Sequence, residues 1–511
     1  MLSHGRGEQL TQLSHAVLQP GFEGTTAPDW VRRRIADGGL ASVVLFGRNI
    51  AGPEQVARLT AQLRAENPDV IIAIDEEAGD VTRLEAWTGA SRPGNLALGA
   101  VDDTGLTESV ARDIGRELHA AGVSLNYAPS ADVNSNPRNP TIGVRSFGAR
   151  TDLVARHTAA WVRGLQSAGV AACAKHFPGH GDTAVDSHLG LPRVTAPAEE
   201  LAATALPPFA AAIGAGVRAV MTGHLLVPAL DPGLPATLSR RILVDLLRGR
   251  LGFTGLIVTD AVEMKAVAAR YGIGGASVRA VAAGADAVCV GGEHADEAHT
   301  ALLATALATA VRDGVLPEER LAEAAARVAE FAAWSGERFR AHAADGAAPP
   351  SGIGLVAARR AMRVTGRADD SLPLPGDPHV AEFAPTSTLA VDRRTPWGVA
   401  APLRELRPGA TSVRLTQDEL AADAGVLERE VLVPAAGKPL VAVVRDAARH
   451  PWMSAALDRV LGARPDAVVV EMGVPGADSP GAVHLATHGA TRVSGQAAAE
   501  LLAGEAHFSG S

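Results

Sequence analysis

Between residues 175 and 188 the chain reads Lys-His-Phe-Pro-Gly-His-Gly-Asp-Thr-Ala-Val-Asp-Ser-His, gathering three histidines and two aspartates in one short run. Such a set could ligate a metal or move protons. Pro178, Gly179 and Gly181 forbid the continuous helix that would put His176 and His180 on one face, and no cysteine joins them, so no metal is expected here. What remains is a mobile, Gly-rich loop carrying an acid–base group. Asp186 and His188 are two residues apart and share a face if the segment is extended. The carboxylate can then accept from one ring nitrogen and turn the other toward a reacting oxygen. A solvated loop would explain the composition but not this close pairing.

Asp260 is the second anchor. It follows the apolar run Leu256-Ile257-Val258-Thr259, so a carboxylate stands where a strand emerges from the core. Capping a following helix is one use for it. Set across a cavity from a basic partner, it could instead be a nucleophile that traps an oxocarbenium-like centre.

These residues need a frame that brings strand ends together. Short apolar runs recur at Ser42–Phe46, Val70–Asp75, Leu125–Val133, Val170–Ala174, Ala219–Thr222, Leu256–Asp260 and Asp286–Val290, with an earlier one near Val17–Gly21. Nearly unbroken hydrophobicity over four to eight residues marks strands buried on both faces, hence a parallel sheet. Amphipathic helices lie between them. One starts at Pro53 with Val56, Leu59 and Leu63 on one face; another carries Val110, Ile114 and Leu118. A third follows Ser239 and points Ile242, Leu243, Leu246 and Leu247 inward. No Gly-x-Gly-x-x-Gly follows the first strand, which leaves a dinucleotide fold without support.

The expected fold class is α/β, a TIM (β/α)8-type barrel followed by a smaller α/β sandwich domain. The barrel is expected over residues 1–340, a linker rich in Ala, Pro and Gly over 341–352, and the second domain over 353–511. Barrel enzymes work at the C-terminal ends of their strands. Polar residues collect there: Asp75-Glu76-Glu77, Asn134-Ser135-Asn136, Lys175-His176, Gly223-His224 and Asp260.

With 47 basic and 56 acidic residues the formal charge is −9, which gives no footprint for nucleic acid or an anionic membrane. The apolar stretch Leu201–Leu230 is interrupted by Pro207, Pro208, Arg218 and His224, so a membrane span is not expected. No apolar h-region follows the first charged residues, and a cytoplasmic location is the expectation. Cys173 and Cys289 lie in apolar runs and read as buried thiols rather than a disulfide framework. Oligomeric state is not legible.

The motifs together resemble glycoside hydrolase family 3, in its β-N-acetylglucosaminidase branch of peptidoglycan-recycling type and two-domain form. They are Asp75-Glu76-Glu77-Ala78-Gly79-Asp80-Val81-Thr82-Arg83-Leu84, Ile142-Gly143-Val144-Arg145-Ser146-Phe147-Gly148 and the Lys175–His188 block. Met221-Thr222-Gly223-His224, Pro235-Ala236-Thr237-Leu238-Ser239 and Gly255–Asp260 followed by Glu263-Met264 complete the likeness, which is strong over residues 40–290. The resemblance implies Asp260 as nucleophile and His188 as general acid/base assisted by Asp186. It also implies that Asp75, Arg83, Arg145, Lys175 and His176 bind N-acetylglucosamine, with no metal or organic cofactor. Ala78 departs from the family, which usually has Gly there, and Val144 stands where a polar residue is common.

The implied reaction is retaining removal of terminal N-acetylglucosamine from muropeptides or chitooligosaccharides, small carbohydrates. A phosphorylase with phosphate as acceptor is the alternative, because a neutral imidazole does not repel an anion as a second carboxylate would. A noncatalytic sugar-binding protein would predict decay of the catalytic groups, yet Asp186, His188 and Asp260 all stand.

Overall fold

The structure is a computed structural model and describes residues 2–185, 190–291, 295–342, 351–386 and 390–505. Its contacts divide the chain into two units. The first holds residues 1–77, 104–142 and 148–350. The second holds residues 78–103, 143–147 and 351–511, so two segments from within the first 340 residues pack with the C-terminal region.

In the first unit the apolar runs become eight strands: β1 Leu18–Pro20, β2 Ser42–Leu45, β3 Ile71–Ile74, β4 Leu125–Asn126, β5 Ala171–Phe177, β6 Ala219–Thr222, β7 Leu256–Thr259 and β8 Val288–Val290. β2 to β7 pair in sequence order, and β8 pairs with β1. A bridge between Val258 and Ala287 links β7 to the approach of β8, and the Ser42 hydroxyl donates to the Leu18 carbonyl at 3.2 Å. All the ladder pairings are parallel. This is the ring of a TIM-type barrel.

Alternate residues of β3, β5, β6 and β7, with Cys289 of β8 and Ala287 just before it, join one apolar cluster: Ile71 and Ala73, Ala171 and Cys173, Ala219 and Met221, Leu256 and Val258. Both cysteines are buried free thiols, pushed up from the usual thiol range by burial. The intervening helices match the sequence pattern. Pro53–Glu66 buries Val56, Leu59 and Leu63, and Thr104–Ala120 buries Val110, Ile114 and Leu118. Arg241–Arg250 buries Ile242, Leu243, Leu246 and Leu247 just after Ser239, whose hydroxyl accepts from the Ile242 amide at 3.3 Å.

Two runs differ from their sequence reading. Leu125–Val133 is strand for only two residues, because Pro129 has no amide to donate and the chain beyond makes a single bridge, Ser130 to Lys175. Conversely Lys175 and His176 lie inside β5 rather than past its end.

The second unit is a six-stranded sheet with β9 Arg363–Gly366, β10 His379–Ala384, β11 Thr411–Thr416, β12 Leu440–Val444, β13 Val468–Glu471 and β14 Val483–Ala486. The order is β11-β10-β12-β13-β14-β9, parallel except for the antiparallel edge strand β9. Val441, Val443, Val468 and Val470 belong to one apolar cluster, and Leu440, Ala442, Val444 and Val469 to another. A sheet with an apolar cluster on each face is the α/β sandwich expected over residues 353–511.

Among the described residues no helix is long and apolar enough to cross a membrane.

Candidate functional site

β5 delivers two functional side chains in succession. The Lys175 ammonium, with 2% of its side chain exposed, lies 2.5 Å from Asp75 Oδ1 and 2.7 Å from Glu77 Oε1. Asp75 follows the last residue of β3, and Glu77 is as deeply buried as the lysine. One cation between two carboxylates is a tolerable arrangement for buried charge, because each ion keeps a partner in a region of low dielectric. Asp75 retains 24% exposure, so it is the member that can accept from a ligand hydroxyl.

Replacing Lys175 with Met should therefore cost about 3–5 kcal/mol, by leaving two carboxylates buried together without their cation. The urea midpoint of the barrel transition measures this, and a midpoint equal to that of the unmodified protein would contradict the pairing.

His176, the next residue, is organised from the opposite direction. Its Nδ1 is 2.7 Å from Asp132 Oδ2, and since a carboxylate accepts only, Nδ1 carries the proton. Asp132 is fully buried and also accepts from the His180 amide at 2.6 Å and the Ser130 hydroxyl at 3.0 Å. Burial alone would raise this carboxyl, but the His176 and His180 imidazoles and the His180 amide outweigh it and hold Asp132 below the usual range. The His180 ring meets the His176 ring edge-on at 5.8 Å, and its Nδ1 is 2.7 Å from the Thr183 hydroxyl. Asn139 donates to the His180 carbonyl at 2.8 Å. The Gly-rich segment is thus pinned to the chain after β4 as far as Thr183.

Asp260 follows β7 and is partly exposed. Its amide donates to the Thr222 carbonyl at 3.1 Å, and its Oδ1 accepts from the Ala261 amide at 2.8 Å. The next helix, Lys265–Ala283, starts beyond its N-cap residue Met264, so Asp260 is not a helix cap. What it presents is a strand-end carboxylate of fixed orientation, suited to attack on an electrophilic carbon.

The sequence-predicted residues distribute as follows. Asp75, Lys175, His176 and Asp260 lie in the first unit, at the C-terminal ends of β3, β5 and β7. Arg83 and Arg145 belong to the second unit: Arg83 donates to the Ala390 carbonyl at 3.0 Å, and the Arg145 carbonyl accepts from Asn95 at 2.7 Å. In the same unit Asp80 is buried, pairs with Arg445 and accepts from the Ala490 amide at 2.9 Å. Asp186 and His188 lie outside the described residues.

Glu77, Asp132, His180 and His224 carry no role in the sequence reading. Their charged or ring groups within apolar or Gly-rich runs were the available signal. Ala78 has φ +57°, the left-handed region, where its methyl group costs roughly 1–2 kcal/mol relative to the glycine usual in the resembling family. Among the described residues no cluster of three or more His, Cys, Asp or Glu is arranged to hold a metal.

The model of the glycosyl hydrolase family 3 N-terminal domain matches residues 6–331. A β-hexosaminidase of Stenotrophomonas maltophilia (strain K279a) is 38% identical over 310 residues, covering 59% of this chain and 91% of the relative. Beta-hexosaminidase A of Pseudoalteromonas piscicida is 36% identical over 332 residues, 60% of this chain, and the match spans about half (55%) of that relative's length. Among solved structures, a glycoside hydrolase family 3 β-N-acetylglucosaminidase from Paenibacillus sp. str. FPU-7 superposes with a TM-score of 0.85 at 34% identity, covering 98% of each chain.

Proposed function

The chain belongs to glycoside hydrolase family 3, and from that membership we propose that it is a retaining exo-β-N-acetylglucosaminidase working through a glycosyl-Asp260 intermediate. In the first step an Asp260 oxygen attacks the anomeric carbon while protonated His188 gives its proton to the departing glycosidic oxygen. In the second, neutral His188 takes a proton from water as that water attacks the same carbon and releases Asp260. Asp186 holds the imidazole and stabilises its charged form. Asp75, Arg83, Arg145, Lys175 and His176 bind the sugar. A retaining enzyme usually sets two carboxyl groups about 5 Å apart. A His–Asp pair does the same proton work because an imidazole titrates near neutrality.

The observation that carries this reading is the strand-end carboxylate of Asp260, fixed by the Ala261 amide, on the barrel rim that also holds the Asp75–Lys175–Glu77 ion triad. The relatives' names, β-hexosaminidase and β-N-acetylglucosaminidase, support the N-acetyl sugar. Water is favoured over phosphate as acceptor: the Lys175 ammonium is outnumbered by its partners Asp75 and Glu77, and His176 faces Asp132, carboxylates that repel a dianion.

Removal of N-acetylglucosamine from muropeptides during cytoplasmic peptidoglycan recycling is the assignment the family resemblance favours; chitooligosaccharides are the alternative, and no single residue separates the two.

The test compares anhydro-muropeptide with chitobiose, each with and without phosphate. Free N-acetylglucosamine at a rate independent of phosphate is expected, faster from the muropeptide. N-acetylglucosamine 1-phosphate as the main product would replace hydrolysis with phosphorolysis, and cleavage of neither compound would remove the substrate class.

A further inference from the structure

Two of the family-like motifs, Met221–His224 and Pro235–Ser239, have no part in the chemistry just described. They meet behind Asp260. His224 is completely buried just past β6, and its Nε2 is 2.9 Å from the Ala261 carbonyl. A carbonyl accepts only, so Nε2 bears a proton. In the neutral imidazole Nδ1 must then accept, and its neighbour is the Thr237 hydroxyl at 2.9 Å, whose one proton is shared between that nitrogen and the Gly223 carbonyl at 3.0 Å. Thr237, in the short turn Ala236–Leu238, lies in turn 2.8 Å from the Thr222 hydroxyl.

The backbone of Thr222 accepts from the Asp260 amide at 3.1 Å, and the Ala261 amide donates to Asp260 Oδ1 at 2.8 Å. The hydrogen bonds therefore form a ring. It runs from Thr222 to Thr237, His224, the Ala261 carbonyl, the Ala261 amide and the Asp260 carboxylate, and returns through the Asp260 amide to Thr222.

We propose that His224 is a positioning residue for the nucleophile, and that the Thr237 hydroxyl holds its ring in the orientation in which it can act. Held at its carbonyl by His224 and at its amide by Asp260, Ala261 cannot rotate, so the carboxylate's Oδ1 is fixed and the direction of Oδ2 with it. A misplacement of the attacking oxygen by about 1 Å costs on the order of a hundredfold in rate. A fixed backbone amide also accompanies the carboxylate through attack and release without reorganising. The proposal rests on the reading of Asp260 as nucleophile.

The test measures kcat and KM on a chromogenic β-N-acetylglucosaminide for His224→Phe, Thr237→Val, Thr237→Ser and Asp260→Asn. It also follows the rate at which a slow fluorinated N-acetylglucosaminide becomes attached to the protein. His224→Phe should lower kcat and the attachment rate about a hundredfold with KM within about twofold. Thr237→Val should lower them about tenfold, and Thr237→Ser, which keeps the hydroxyl, should restore them.

Should His224→Phe fail to fold, the two Thr237 variants carry the comparison by themselves. Equal kcat and attachment rates for Thr237→Val, Thr237→Ser and the unmodified enzyme, with Asp260→Asn inactive, would overturn the positioning role and leave the nucleophile in place. An Asp260→Asn enzyme that still turns over would overturn both.

Discussion

Asp260→Asn should reduce hydrolysis of β-N-acetylglucosaminides by at least about a thousandfold, equivalent to roughly 4 kcal/mol of barrier. The amide has the size of the carboxylate, and its Oδ1 can still accept from the Ala261 amide, so the rim keeps its shape. What disappears is the anion that attacks and the covalent state that follows. Losses of this size are measured with a chromogenic substrate at saturation, where kcat isolates the bound complex. Because Asp260 is partly exposed and caps no helix, its replacement should leave the unfolding midpoint within the range of ordinary surface changes, about 0.5 kcal/mol. A variant that keeps most of its kcat would remove Asp260 from the chemistry.

His188→Ala should show a loss that depends on the leaving group. An alkoxide such as the second sugar of chitobiose cannot depart without a proton, so the general acid is worth about 10²–10⁴-fold there. A nitrophenolate departs unaided, and for that substrate the first step should be nearly unaffected while release of the intermediate, which needs the base, slows. Asp186→Asn leaves the imidazole in place without its anion, and loss of a neighbouring carboxylate lowers an imidazole's affinity for its proton. The alkaline limb of kcat/KM should therefore move to lower pH. Equal losses on both leaving groups, or an unmoved limb, would assign the acid/base role elsewhere.

Much of the frame was legible from the chain because it depends on local pattern. Pro53 at a helix start, the Val110, Ile114 and Leu118 spacing, and the unbroken runs of β3 and β7 each correspond to one element. The run Leu125–Val133 misled because hydrophobicity does not record that Pro129 lacks a donor and that Asp132 must be buried against partners.

Asp132 illustrates the harder class. Its role comes from the His176 ring and the His180 amide, more than forty positions later, and no spacing rule encodes that meeting. His224 is similar, since its function depends on the Ala261 carbonyl of the next strand's end. Glu77 stood in plain sight beside Asp75, but only burial distinguishes a counter-ion for Lys175 from a solvated acid. The membership of Arg83 and Arg145 in the second unit is a matter of long-range contacts between segments 78–103, 143–147 and the C-terminal region.

The most direct measurement is to let a fluorinated N-acetylglucosaminide react with the intact enzyme, digest it, and locate the added sugar by mass spectrometry. A two-step displacement at this carboxylate requires one sugar ester on the peptide containing Asp260, forming at the rate at which activity is lost. Sugar attached to any other residue, or activity lost with no sugar attached to protein, would contradict it.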